Sequence, residues 1–130
     1  MVASLKKLWN NQRGVTLIEL LAVVVILGII AAIAAPSVIT NFSDAKKNAD
    51  SQTEKIVIDA AQRYMLDDAK NVTFNNNSAT ITIAVLKEKG YLTSEPKWSD
   101  NNAVANVVLT QDATTKKVTS YSVSGKPSNY

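Results

Sequence analysis

The 130-residue sequence contains no cysteine and no histidine. Without thiols there is no disulfide scaffold, thiolate nucleophile or Cys/His zinc site, and without imidazole the commonest acid–base group is missing. Absence of cysteine does not fix a compartment, but an exported form of the chain would be held by packing and assembly alone. Aromatic residues are sparse at 6%: Trp9, Trp98, Phe42, Phe74 and four tyrosines. No nucleophile–base pair, metal cluster or glycine-rich phosphate loop stands out, and the Asp67-Asp68 doublet has no convergent polar set beside it. An enzyme is therefore unsupported, and no cofactor or metal is expected.

A field of one sign is missing too. The net charge of +3 comes from Lys6, Lys7 and Arg13; from Val15 onward eleven basic residues face eleven acidic ones. Charge balance gives no support for DNA as a partner. Lys116, Lys117 and Lys126 leave room only for a local contact, and they read more simply as solvated positions.

What the chain does have is one long apolar run. Residues 15–35, VTLIELLAVVVILGIIAAIAA, carry one charge, Glu19, and one hydroxyl, Thr16. As a helix they span roughly 31 Å, enough to cross a bilayer core. Basic residues precede the run and no charge follows it until Asp44, so positive-inside bias predicts a single pass with a cytoplasmic N-terminus. A secretory signal cut near Ala32-Ile33-Ala34 is a simpler reading, but the run exceeds a usual signal core and contains an acid. A plain membrane anchor leaves the buried carboxylate unexplained.

Beyond Pro36, Val38, Phe42, Ala45, Ala49, Ile56, Ala60 and Tyr64 recur at helical spacing, which predicts that the same helix continues to about Lys70. Gly28 and Pro36 are its soft points, and Pro36 removes the bond to Ala32 and is expected to kink it. Residues 71–79 read as an Asn-rich loop with a short strand at Val72–Phe74. Its two sequons, starting at Asn71 and Asn76, read as loop polarity. Thr82 is placed to cap a helix through Lys89, with Ile81 and Leu86 as a hydrophobic staple and Gly90 after its end. Tyr91, Leu92 and Trp98 are apolar anchors around Pro96. Residues 104–110 and 116–124 form a hairpin, with Ala105, Val107 and Leu109 on one face opposite Thr119, Tyr121 and Val123. The expected class is α+β, a long N-terminal helix with a membrane-spanning and an amphipathic half packed on a small antiparallel sheet. The expected divisions are 1–14, 15–36, 37–71 and 72–130, with the hairpin at about 104–124.

The stretch Arg13-Gly14-Val15-Thr16-Leu17-Ile18-Glu19 is the informative one. Gly14 lets a protease approach the backbone where a basic leader meets an apolar helix. Together with Pro36, 22 residues past Gly14, this resembles the leader and helix of type IV pilins and of the pseudopilins of type II secretion and competence systems. The resemblance covers about 36 residues. It implies that residues 1–14 are a leader cut between Gly14 and Val15 by a prepilin peptidase, and that the Val15 amine is then N-methylated. Val15 departs from the Phe or Met common at this position but keeps its apolar character. Glu19 would meet a Val15 amine, its own or a neighbour's, during assembly, and Gly28 and Pro36 would let the helix bend in a filament. The implied function is a structural pilus subunit, polymerised through its N-terminal helix; the alternative is a pseudopilin. Implied partners are other copies, minor pilins, the peptidase, an inner-membrane assembly platform and the bilayer before assembly. The implied location is the cell membrane first and the cell surface after assembly. A membrane-anchored binding module is the remaining non-enzymatic reading.

Overall fold

The computed structural model describes residues 2–128, with side chains from residue 14 onward. Lys6, Lys7, Arg13 and Trp9 therefore lie outside the described side chains, and Tyr130 lies outside the described residues. Helix α1 runs Val2–Asp68 with Pro36 inside it, and one 3-10 turn, Ala69–Asn71, ends it. Strand β1 (Ser78–Thr82), helix α2 (Ile83–Glu88), β2 (Asn106–Gln111) and β3 (Val118–Val123) follow. The chain divides into two units, one ending at Phe42 and one beginning at Ser43.

The first unit is helix throughout its described length, as its Leu, Ile and Ala content favours. The second is α+β. Its sheet is antiparallel in the order β1-β2-β3, with Ile81 opposite Val107 and Leu109 opposite Tyr121. Ala79 and Ile81 of β1, Val107 and Leu109 of β2, and Val57, Ala60, Ala61 and Tyr64 of α1 are buried together. Ile83, Leu86, Leu92, Trp98 and Val104 complete this core, so a small sheet gains the helix cover it needs in water.

Several local expectations are corrected. Val72–Phe74 is not a strand; the third strand is Ser78–Thr82, where Ala79 and Ile81 alternate inward against three hydroxyl residues. Ala105 is exposed: it lies before β2, which starts at Asn106, two residues later than expected. Thr119 is exposed as well. The register shifts between Thr110 and Gln111, which pair with Ser120 and Val118, so Thr119 is the extra residue of a bulge and Val118 joins the packed side. Thr82 has N-cap backbone geometry without a side-chain cap bond. The staple pair Ile81 and Leu86 is buried, and Gly90 takes φ +83 after α2.

The buried stripe of α1 is also rotated by about one residue. Ala60 and Tyr64 face the core as expected, but Ala45, Ala49 and Ile56 are exposed. Val57 and Ala61 take the inward positions instead, and one heptad before Val57 stands Asp50, at 0% exposure.

Candidate functional site

Two regions of the chain stand out, one by its exposed apolar surface and one by a buried charge. The first is the head of the apolar helix. From Val15 to Ile33, thirteen Val, Leu and Ile side chains are 52–73% exposed. Burying thirteen such side chains is worth roughly 20–40 kcal/mol, so this surface requires a bilayer or other chains around it. Among the described residues this is the one helix long and apolar enough to cross a membrane. Glu19 sits within it, exposed. Its insertion costs up to ~3 kcal/mol, an order of magnitude less than the apolar gain, so one carboxylate does not prevent membrane anchoring.

Gly14, Val15 and Glu19 all lie on α1. Val15 and Glu19 are four residues apart and share a helix face, with Cβ atoms about 5–6 Å apart. Their proximity therefore comes from one turn of helix and needs no tertiary contact. Gly28 and Pro36 lie two and more turns further along. A Cβ at Gly14 or Gly28 would meet nothing within 4 Å, so neither glycine is required by packing within the chain. The Pro36 carbonyl accepts the Thr40 hydroxyl at 3.0 Å. Pro36 brings no N–H of its own, which leaves the Ala32 carbonyl without its helical donor.

The second region surrounds Asp50, a carboxylate buried on α1. Its carboxylate accepts the Ser99 N–H at 2.6 Å and the Ser99 hydroxyl at 2.9 Å. One turn on, Thr53 donates to the Lys97 carbonyl at 3.4 Å and Glu54 pairs with Lys126. The loop from Pro96 to Val104 is closed on itself by Val104 N–H to Pro96 C=O at 3.0 Å and Trp98 N–H to Asn102 C=O at 2.9 Å. Asp50 thus fastens a pre-folded loop, carrying buried Trp98, to the long helix. The available sequence signal was its phase: Asp50 lies one heptad before Val57 on the inward stripe.

Other polar groups do structural work. Asp67 accepts the Tyr91 hydroxyl at 2.9 Å, and that bond holds the phenol above its ordinary range. The Asp112 carboxylate accepts the N–H groups of Thr115 and Thr114, which hold it below the usual carboxylate range. No group of His, Cys, Asp and Glu able to hold a metal occurs among the described residues.

Among known protein families, residues 9–35 match the prokaryotic N-terminal methylation motif. No curated protein and no solved structure gives a match. The matched residues take in Gly14, Val15, Glu19 and Gly28 and stop just short of Pro36. The chain therefore carries a prokaryotic N-terminal methylation motif of the prepilin-leader type, followed by a long apolar N-terminal helix.

Proposed function

We propose that the chain is a structural subunit of a type IV pilus, released from its leader between Gly14 and Val15, N-methylated at Val15 and polymerised through α1. The observation that carries this reading is the continuous apolar surface from Val15 to Ile33, whose one charge is Glu19 in its second turn. Cleavage creates a cation at Val15, at the end of a helix whose dipole is already positive there. Glu19 is one turn away and supplies the opposite charge, to the same helix or to a neighbour at equal depth. Such a pair sets axial register between helices that otherwise present uniform apolar surface. Gly28 and Pro36 then act as points where the helix bends or unwinds when packed, with neighbouring chains satisfying the freed backbone groups.

The membrane holds the subunit before assembly and the cell surface holds the filament afterwards. Prepilin peptidase, an assembly platform, minor pilins and further copies are the partners this life cycle requires. A pseudopilin would share every one of these features.

Glu19→Ala tests the assembly step. Removing the charge eases membrane partition and leaves the junction at Gly14 intact, so cleaved protein should accumulate in the membrane. An uncompensated amine in an apolar core costs several kcal/mol, enough to lower incorporation by orders of magnitude. Glu19→Gln, which keeps size and hydrogen bonding, should fall between the two. Intact mass reports cleavage, and the ratio of sheared filament to membrane pool reports assembly. Wild-type filament yield from Glu19→Ala would remove the role assigned to this carboxylate.

A further inference from the structure

We propose that residues Val72–Phe74 are a strap that closes onto the outer edge of β1 and turns it into an inner strand. The hairpin this requires is already begun. Asn75 and Ser78 exchange both backbone bonds, at 2.8 and 2.9 Å. Between them Asn76 and Asn77 take φ 48° and 62°, a doubly left-handed turn whose twist suits an antiparallel pair. Continued in register, this turn sets Phe74 opposite Ala79, Thr73 opposite Thr80 and Val72 opposite Ile81.

The side chains already follow that register. Val72 and Phe74 pack against the core, as Ala79 and Ile81 lie within it, while Thr73 and Thr80 are both exposed. Val72 is extended, at φ −99° and ψ 113°. Only the backbone bonds are lacking. The bonds from Gln111 N–H to Asn77 C=O and from Ile83 N–H to Ala105 C=O set the phase of the β1–β2 ladder, so Ala79 and Ile81 spend their backbone groups on β2. Thr80 turns its N–H and C=O the other way, toward Thr73, yet no bond joins the two. A groove of about 170 Å³ separates them, lined by Tyr64, Val72, Thr73, Thr80, Thr82 and Val85 among others.

Closing sacrifices no existing bond. With Thr73 facing β1, Val72 and Phe74 point their backbone groups away from it, so the bond from Val72 N–H to Ala69 C=O at 3.2 Å survives. Two bonds are gained, Thr73 N–H to Thr80 C=O and Thr80 N–H to Thr73 C=O. Bonds of ordinary net strength favour the closed form by roughly five- to a hundredfold, and the ordering of Thr73 offsets part of that. The strap therefore opens and closes on a nearly level balance. Its closed form matters because Ser78–Thr82 has neither a charge nor a proline to guard its edge against other strands. The strap supplies cover from within the chain, independently of any filament.

Thr73→Pro separates the two forms. Proline has no N–H and so forbids the closing pair, while in the open form the Thr73 N–H has no backbone partner to lose and the extended Val72 suits a residue before proline. Amide hydrogen exchange is followed by NMR on the isotope-labelled full-length chain in detergent micelles. The Thr80 N–H should exchange roughly tenfold more slowly in the parent than in Thr73→Pro, with the Ile81 N–H, spent on β2, equally protected in both. Equal Thr80 exchange in the two chains, fast or slow, overturns the strap. If the proline also loosens Ile81, the decision passes to Thr73→Cys combined with Thr80→Cys in this cysteine-free chain. When the strap is closed these Cα atoms lie about 5.5 Å apart, within the span of a disulfide. Oxidation should then yield a monomer without free thiols, and free thiols or disulfide-linked dimers in its place overturn the strap.

Discussion

Asp50→Ala is the most informative single change in the second unit. A hydrogen bond to a charged acceptor contributes about 1.5–3 kcal/mol net, and Asp50 accepts two of them from Ser99. Ser99 is only half-buried, so its released donors regain some water, and the expected loss is roughly 2–4 kcal/mol. For a domain of this size that lowers Tm by roughly 10–25 °C. Asp50→Asn keeps one acceptor oxygen at the same volume and should lose about half as much, ~1–2 kcal/mol. The effect of Asp50→Leu depends on the opposite quantity, the desolvation of a fully buried carboxylate. If that cost exceeds the gain from both bonds, the leucine variant will equal or exceed the parent in stability. The assay is urea unfolding of a fragment beginning at Phe42, in which Trp98 is the sole tryptophan. Its fluorescence reports the clamped loop while circular dichroism reports the helix and sheet. Loosening of the loop should expose Trp98 to iodide quenching below the main transition. A change under ~0.5 kcal/mol in Asp50→Ala, with Trp98 still shielded, would falsify the clamp.

The fragment itself carries a prediction: removing residues 1–41 should leave a monomeric α+β domain with one cooperative melt, because Val57, Ala60, Ala61 and Tyr64 still cover Ile81, Val107 and Leu109. A disordered product by circular dichroism would show that the sheet depends on the removed segment or on neighbours. Folding lowers the proton affinity of Asp112, so its contribution is present above the ordinary carboxylate range and is lost as pH falls through the depressed folded value. The stability gap between parent and Asp112→Ala should therefore narrow below about pH 4, and a constant gap down to pH 2 would contradict it. Tyr91 is raised, so the opposite sign holds. The gap between parent and Tyr91→Phe should persist through neutral pH and close above about pH 10.

The parts of the molecule legible in the sequence are those set by long runs of one property. The apolar run after Gly14 and its continuation past Pro36 needed only composition and period, and both belong to one helix. Gly90 and the Ile81/Leu86 staple were legible because turn chemistry is local. Phase was harder to read. Ile56 and Val57 are both apolar, and only the position of the sheet decides that Val57 is buried and Ile56 is exposed. The burial of Asp50 was hidden with that phase, and its partner Ser99, 49 residues away, left no local mark. Strand β1 was hidden because five residues, SATIT, next to an Asn-rich turn carry little hydrophobicity of their own. Pairing with β2 and cover from α1 make them a strand. Thr119 was misplaced because a bulge shifts the alternation without any mark in composition.

The balance at the helix head explains why so few residues should govern assembly. Covering the Val15–Ile33 surface is worth tens of kcal/mol, but lipid tails and the apolar flanks of other helices cover it almost equally well. The hydrophobic contribution therefore nearly cancels between membrane and filament, and the preference for one over the other falls to packing and to polar groups that differ between the two settings. Near the lipid headgroups Glu19, about 6 Å into the helix, retains some access to water and needs no partner. Among packed helices that water is gone, and a carboxylate is tolerated only beside a cation. On the proposed reading Val15 carries no charge while in peptide linkage to Gly14, and cleavage there would supply one. On this reasoning the leader does more than orient the precursor: while it is attached, Glu19 disfavours the filament by several kcal/mol, and its removal turns the same residue into a determinant of register. On the proposed reading, a charge that is a liability before processing and a requirement after it would order the two steps without any further regulator.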